Sequence, residues 1–190
     1  MKFKYYAIYK PYDMLSQFTG PEGTAVLGDL FPFPKDVYSI GRLDKTSEGL
    51  LLLTNDNSFK TKVLDPNNKL EKTYYVQVDK DITPEAIKEL EAGTIVIKHE
   101  GKKLTVKPAK CKKIADPNLP ERSVPIRFRK DIPTSWIALT LSEGKNRQVR
   151  QMTAAVNFPT LRLVRFSIGS FQLDNMQPGD VVEISPEEVL

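Results

Sequence analysis

Gly41-Arg42-Leu43-Asp44-Lys45-Thr46-Ser47-Glu48-Gly49, running on into Leu50-Leu51-Leu52-Leu53-Thr54-Asn55-Asp56, decides how this chain is read. Residues 37–40 before it have the composition of a short strand. Residues 50–54 form a short apolar run bounded by Gly49 and by Asn55-Asp56, which predicts a buried strand. The loop between them is made of charged and small residues. It carries the Arg42 guanidinium and the Asp44 carboxylate two positions apart. A charged loop held by two strands is a common layout for an active site. Asp, Ser, Thr and Gly are also ordinary turn residues, so the rest of the chain has to decide.

Working outward, residues 57–64 predict a helix capped at Asp56 or Asn57 and stopped by Asp65-Pro66. Residues 72–78 are rich in β-branched and aromatic residues and predict a strand. Thr83 as N-cap and Pro84 in the first turn open a second helix, with Ile87 and Leu90 inward and Gly93 closing it. Residues 94–98 and 103–107 pair as a hairpin around His99-Glu100-Gly101. Residues 136–141 form a strand that leads into a helix over about 147–156. Val149, Met152 and Val156 share one face of it, and Arg147, Arg150 and Gln151 another. Residues 161–168 and 181–184 are closing strands. Upstream, residues 3–9 form a strand that Lys10-Pro11 ends, because proline lacks the ladder donor. Residues 16–36 are largely loop. The fold class is α+β, with a mixed, mainly antiparallel sheet flanked by short helices. Residues 1–190 read as a single catalytic domain or two intimate subdomains.

The net charge of +4 arises from 28 basic and 24 acidic residues and is unevenly placed. Residues 102–130 hold ten Lys or Arg (102, 103, 107, 110, 112, 113, 122, 127, 129 and 130) against Asp116 and Glu121, a local +8. Residues 171–190 hold five acids and no base. This asymmetry fits either a face for a polyanion or a hairpin with lysines guarding its edges. With Cys111 as the one cysteine there is no internal disulfide, and with His99 as the one histidine there is no His/Cys metal cluster. The chain offers no Walker loop and no GxGxxG, so no nucleotide cofactor is expected. It has no signal pattern and no membrane-spanning run. A cytoplasmic monomer that needs no metal or cofactor is expected.

Arg147 and Arg150 stand early in their helix, where the macrodipole disfavours cations. They look to a phosphate, to an internal carboxylate or to solvent. Asp44 is a candidate carboxylate, and an Arg–Asp contact would lower its pKa by roughly 1–3 units. An ionised, held carboxylate is a nucleophile or a base. Tyr74 offers a flat ring either for stacking a base or for core packing. Lys72 either meets a phosphate or stands on an exposed edge.

Taken together, the quoted stretch, Lys10-Pro11, Lys72-Thr73-Tyr74-Tyr75-Val76 and Glu143-Gly144-Lys145-Asn146-Arg147-Gln148-Val149-Arg150 resemble, in order, four motifs of the RsuA-type pseudouridine synthases. Residues 132–136 and 158–163 are similar to the branch of that family acting on 23S ribosomal RNA, and the N-terminal S4 RNA-binding domain of many members is not seen. Lys145 and Gln151 stand where the family usually has Arg, and Asn157 where it has Gly. The resemblance implies an isomerase that detaches uracil from its ribose, turns it and rejoins it through carbon, without cofactor. It makes Asp44 the catalytic carboxylate, acting either as a nucleophile or by forming a glycal. Arg42 would fill the space left by a flipped base, Tyr74 would stack on that base, and Arg150 would pair with Asp44. Arg147 and Lys72 would serve RNA or structural contacts. A non-catalytic RNA-binding factor would use the basic region and not need Asp44. A metal-dependent nuclease would need clustered carboxylates, and the central loop offers only Asp44.

Overall fold

The computed structural model describes residues 2–126 and 129–190, which form two compact units. The first unit comprises residues 1–70, 122–124 and 164–190, and the second residues 71–121 and 125–163. In chain order, the first unit begins with β1 (Tyr5–Lys10), β2 (Met14–Leu15), β3 (Ala25–Val26) and β4 (Tyr38–Ser39). β5 (Glu48–Thr54) and α1 (Asn57–Leu64) follow. The second unit holds β6 (Lys72–Asp79), α2 (Pro84–Glu91), β7 (Val96–His99), β8 (Lys102–Thr105), β9 (Lys110–Ile114), β10 (Thr134–Leu141) and α3 (Gln148–Ala155). β11 (Thr160–Ile168) carries the chain back to the first unit, which ends with β12 (Phe171–Gln172) and β13 (Val181–Glu183).

In the first unit β5 is the inner strand. Its long antiparallel partner is β1, with Tyr9 opposite Leu50 and Tyr5 opposite Thr54, and the short β4 also pairs with it antiparallel. β11 joins it in parallel, with Arg165 opposite Gly49, and β13 lies on the outer side of β1. Every residue of β5 is buried, which is why the run Leu50-Leu51-Leu52-Leu53 does not alternate. Burying each leucine contributes about 1.5–3 kcal/mol. Leu51 and Leu53 pack with Tyr6, Ile8, Leu27 and Leu43. Gly49 has φ +105°, and a Cβ there would lie 2.6 Å from the Arg165 nitrogen and closer still to its carbonyl oxygen. Only glycine lets β5 and β11 approach this closely. α1 is capped as its sequence predicts: Asp56 accepts from the Ser58 and Phe59 amides at 2.8 and 3.2 Å, and Asp65-Pro66 stops it.

In the second unit β10 lies between β6 and β9, antiparallel to both. The core brings Val76, Val78, Ile137 and Leu139 from these strands against Leu90 of α2, Val149 and Met152 of α3 and Val156 just after it. Thr83 caps α2, accepting from the Ala86 amide at 3.3 Å. The inward face of that helix centres on Ala86 and Leu90, with Ile87 at its margin. Asn157 follows α3 at φ +66°, a left-handed position that asparagine tolerates best after glycine. β9 was not apparent from sequence. Among the described residues, no helix is long and apolar enough to cross a membrane.

Candidate active site

In the first unit, Asp44 is half-buried and Arg42 exposed, on the loop between β4 and β5. Leu43 between them is buried in the apolar cluster. The Ser16 hydroxyl accepts from the Leu43 amide at 3.0 Å and donates to the Leu43 carbonyl at 2.7 Å. One side chain thereby fixes both main-chain groups of the residue joining Arg42 to Asp44. The Ser47 amide closes a turn onto the Asp44 carbonyl at 2.9 Å, and Ser47 and Glu48 are buried.

Lys10 is the second brace of this loop. It ends β1 with no exposed surface. Its Nζ donates to the carbonyls of Pro11 at 2.8 Å, Met14 at 2.7 Å and Lys45 at 3.4 Å. Burial pushes its pKa down to about 8. The charges of Glu48, Asp13 and Asp44 work against that fall, and Arg165 adds to it. The Asp13 amide also bonds the Lys45 carbonyl at 2.9 Å, and the Lys45 ammonium lies 3.2 Å from the Asp13 carboxylate. Arg165, itself buried, donates through Nε to the Leu50 carbonyl at 2.7 Å.

The second unit holds the other four residues singled out from sequence. Lys72, half-buried, begins β6. Tyr74 is 8% exposed, in the same cluster as Val149 and Met152, so most of its ring is core packing. The loop before α3 is held by a buried pair. Gln148 donates to Glu143 at 2.7 Å and accepts from the Lys145 amide at 3.0 Å, while Glu143 accepts from the Lys107 amide at 2.9 Å. Arg147 precedes the helix at φ +51° with its side chain exposed, and Arg150 is half-buried one turn on. Gln151 has a different task from a phosphate-binding arginine. Its amide accepts from the Lys98 nitrogen at 2.8 Å and donates to the Lys98 and Asn146 carbonyls, each at 3.0 Å.

The basic region between 102 and 130 is divided. Lys110 pairs with Glu71 at 2.6 Å and Lys113 with Asp81 at 2.5 Å, so part of the local +8 is neutralised. Arg129 pairs with Asp79, and Arg122 lies 4.2 Å over the Tyr12 ring. Arg127 lies outside the described residues. Among the described residues no group of three His, Cys, Asp or Glu is arranged to hold a metal ion.

The family model for RNA pseudouridylate synthases matches residues 4–155, a span containing all six candidate residues. The chain belongs to the RNA pseudouridylate synthase family. It is therefore an isomerase. The chain is 50% identical over 176 residues to the ribosomal large subunit pseudouridine synthase E of Vibrio vulnificus, covering 93% of this chain and 73% of that one. It is 42% identical over 174 residues to the enzyme of the same name from Xanthomonas campestris pv. campestris, covering 90% and 89%. A crystal structure of a pseudouridylate synthase superposes with a TM-score of 0.78 at 25% identity, covering 99% of this chain and 73% of the other.

Sequence reasoning missed several residues that hold the loops of this synthase. Lys10 read as a strand end and a motif residue, not as a buried cation. Ser16 lay in a stretch dismissed as loop. Glu143 and Gln148 were quoted only as motif letters. The signal available is a lysine closing an otherwise apolar strand, as Lys10 does after Ala7-Ile8-Tyr9.

Proposed function

We propose that this synthase acts in the cytoplasm on 23S ribosomal RNA, converting one uridine to pseudouridine with Asp44 as the catalytic carboxylate. The observation that carries the reading is the double bracing of the Asp44 loop: Ser16 holds Leu43 on one side and Lys10 holds Lys45 on the other. A carboxylate meant only for solvent needs no such frame. The choice of RNA draws on the relatives named for the large ribosomal subunit.

In the reaction the N1–C1′ bond breaks, the uracil turns, and C5 bonds to C1′. N1 gains a proton in place of the one lost from C5, so no electrons enter or leave. Asp44 either attacks C1′ or takes a sugar proton to give a glycal. The target must first leave its stack, at a cost of a few kcal/mol. Arg42 fills the vacated space and Tyr74 presents its ring to the flipped base. Arg150 pairs with Asp44, and Arg147 and Lys72 meet the backbone.

The test is release of tritium from RNA carrying 5-tritiated uridine. Asp44→Asn should abolish release while leaving RNA binding largely intact, because asparagine is nearly isosteric but neither nucleophile nor useful base. Deproteinised 23S RNA, 16S RNA and transfer RNA are offered separately. Turnover of transfer RNA with none in 23S RNA would overturn the substrate assignment, and an active Asp44→Asn enzyme the catalytic one.

A further inference from the structure

The lysines around residue 100 differ from Lys110 and Lys113 of β9 in two respects. Lys98, Lys102, Lys103 and Lys107 are all exposed, and among the described residues none has a carboxylate within ion-pair distance. Lys110 and Lys113 each have one. The β7–β8 register also sets Lys98 directly opposite Lys103, with Val96 opposite Thr105 on the same face. Ile97 and Leu104 form the other face and pack into the core. Like charges directly opposite on a strand pair are destabilising. The hairpin therefore carries an electrostatic cost on its solvent side that its fold does not need.

The hairpin is also fixed. Gln151 bonds both the amide and the carbonyl of Lys98, tying β7 to α3, the helix of Arg147 and Arg150. A basic face with no aromatic residue, held to that helix, suits a chain of phosphates and not the stacking of bases. We propose that the Lys98–Lys103 face of the β7–β8 hairpin is a docking surface for the RNA backbone flanking the target nucleotide, with Lys107 extending it. This rests on the RNA-modifying reading above. It assigns the contact to the hairpin and not to the carboxylate-paired Lys110 and Lys113.

The full chain is compared with Lys98→Gln/Lys103→Gln and, as control, Lys110→Gln/Lys113→Gln. Binding is measured to oligocytidylate, which contains no uridine, across a salt series. The result therefore stands whether or not any particular RNA is a substrate, and wild-type tritium release from 23S RNA checks that reading separately. Losing two phosphate contacts to this single strand should flatten the slope of log K against log salt by about 1.4 and weaken binding about tenfold or more at low salt. The hairpin variant should raise KM for structured RNA and leave kcat unchanged. Its melting temperature should hold or rise, because the opposed charges are gone. The control should leave the salt slope as in wild type. An unchanged slope in the hairpin variant, or an equal flattening in the control, overturns the proposal. So does a loss of polyglutamate binding with none of RNA binding, which would make the face one for acidic protein.

Discussion

Replacing Lys10 by methionine should change how the stability of this synthase responds to pH. In the folded chain the Lys10 ammonium is fully buried and its pKa lies near 8, against 10.5 for an ordinary lysine. Between those values the unfolded state binds the extra proton, so stability rises with pH. The full difference corresponds to about 3 kcal/mol, at 1.36 kcal/mol per pH unit. It is felt below pH 8 and disappears above 10.5. From about pH 7 to about pH 9.5 the gain is roughly 2 kcal/mol. Cys111 acts in the opposite direction, since burial, with Glu91 adding, pushes its thiol up to about 12 and ionisation of the unfolded thiol favours unfolding. Subtracting the Lys10→Met curve from the wild-type curve cancels that contribution. Urea unfolding at half-unit pH steps gives both curves. Wild type should gain about 2 kcal/mol on the variant across the range. Methionine should also lower stability at pH 7, because the Pro11 and Met14 carbonyls lose a charged donor. Curves that run parallel would refute the buried, depressed ammonium and with it the Lys10 brace.

Two further substitutions probe the frame. Tyr74→Phe keeps the ring and should leave the single-turnover rate within a few-fold. Tyr74→Ala should lose about 1–3 kcal/mol of stacking, and separately about 3–5 kcal/mol of stability from a core position; equal rate losses in the two would assign the role to the phenol hydroxyl. Gly49→Ala should destabilise by about 3 kcal/mol or more, combining a left-handed backbone with overlap on the Arg165 main chain, and a urea midpoint near wild type would show that β5 and β11 can part cheaply.

The elements legible in the sequence were those with local chemistry at their ends or one clear period inside. α1 and α2 begin at side-chain caps and stop at Asp65-Pro66 and Gly93, and their bounds follow from those residues alone. β5 was legible because four consecutive leucines have nowhere to go but a strand covered on both faces. β9 was not, because Lys110-Cys111-Lys112-Lys113-Ile114 reads as a charge run: only Cys111 turns fully inward, and pairing with β10 decides the rest. Asp44, Arg42, Tyr74 and Arg150 are candidates by motif alone. Their supports were harder to see, because Ser16 acts on Leu43 and Lys10, through its longest bond, on Lys45, and a long-range backbone contact leaves no periodic trace. Gln151 looked like a weakened arginine and is instead a peptide mimic on β7.

These supports share a property with a bearing on how the enzyme can diversify. Lys10 bonds three carbonyls, Ser16 the amide and carbonyl of Leu43, and Gln151 the amide and carbonyl of Lys98. Each of these bonds ends on a main-chain atom of its partner. The frame is thus indifferent to which residues occupy positions 45 and 98, so long as the main chain keeps its path. Substitutions there can alter charge and reach toward different RNAs while the Asp44 backbone stays where it is. The architecture separates the positions that keep the loop in shape from those free to explore new targets, and that leaves room for one scaffold to serve several RNA sites.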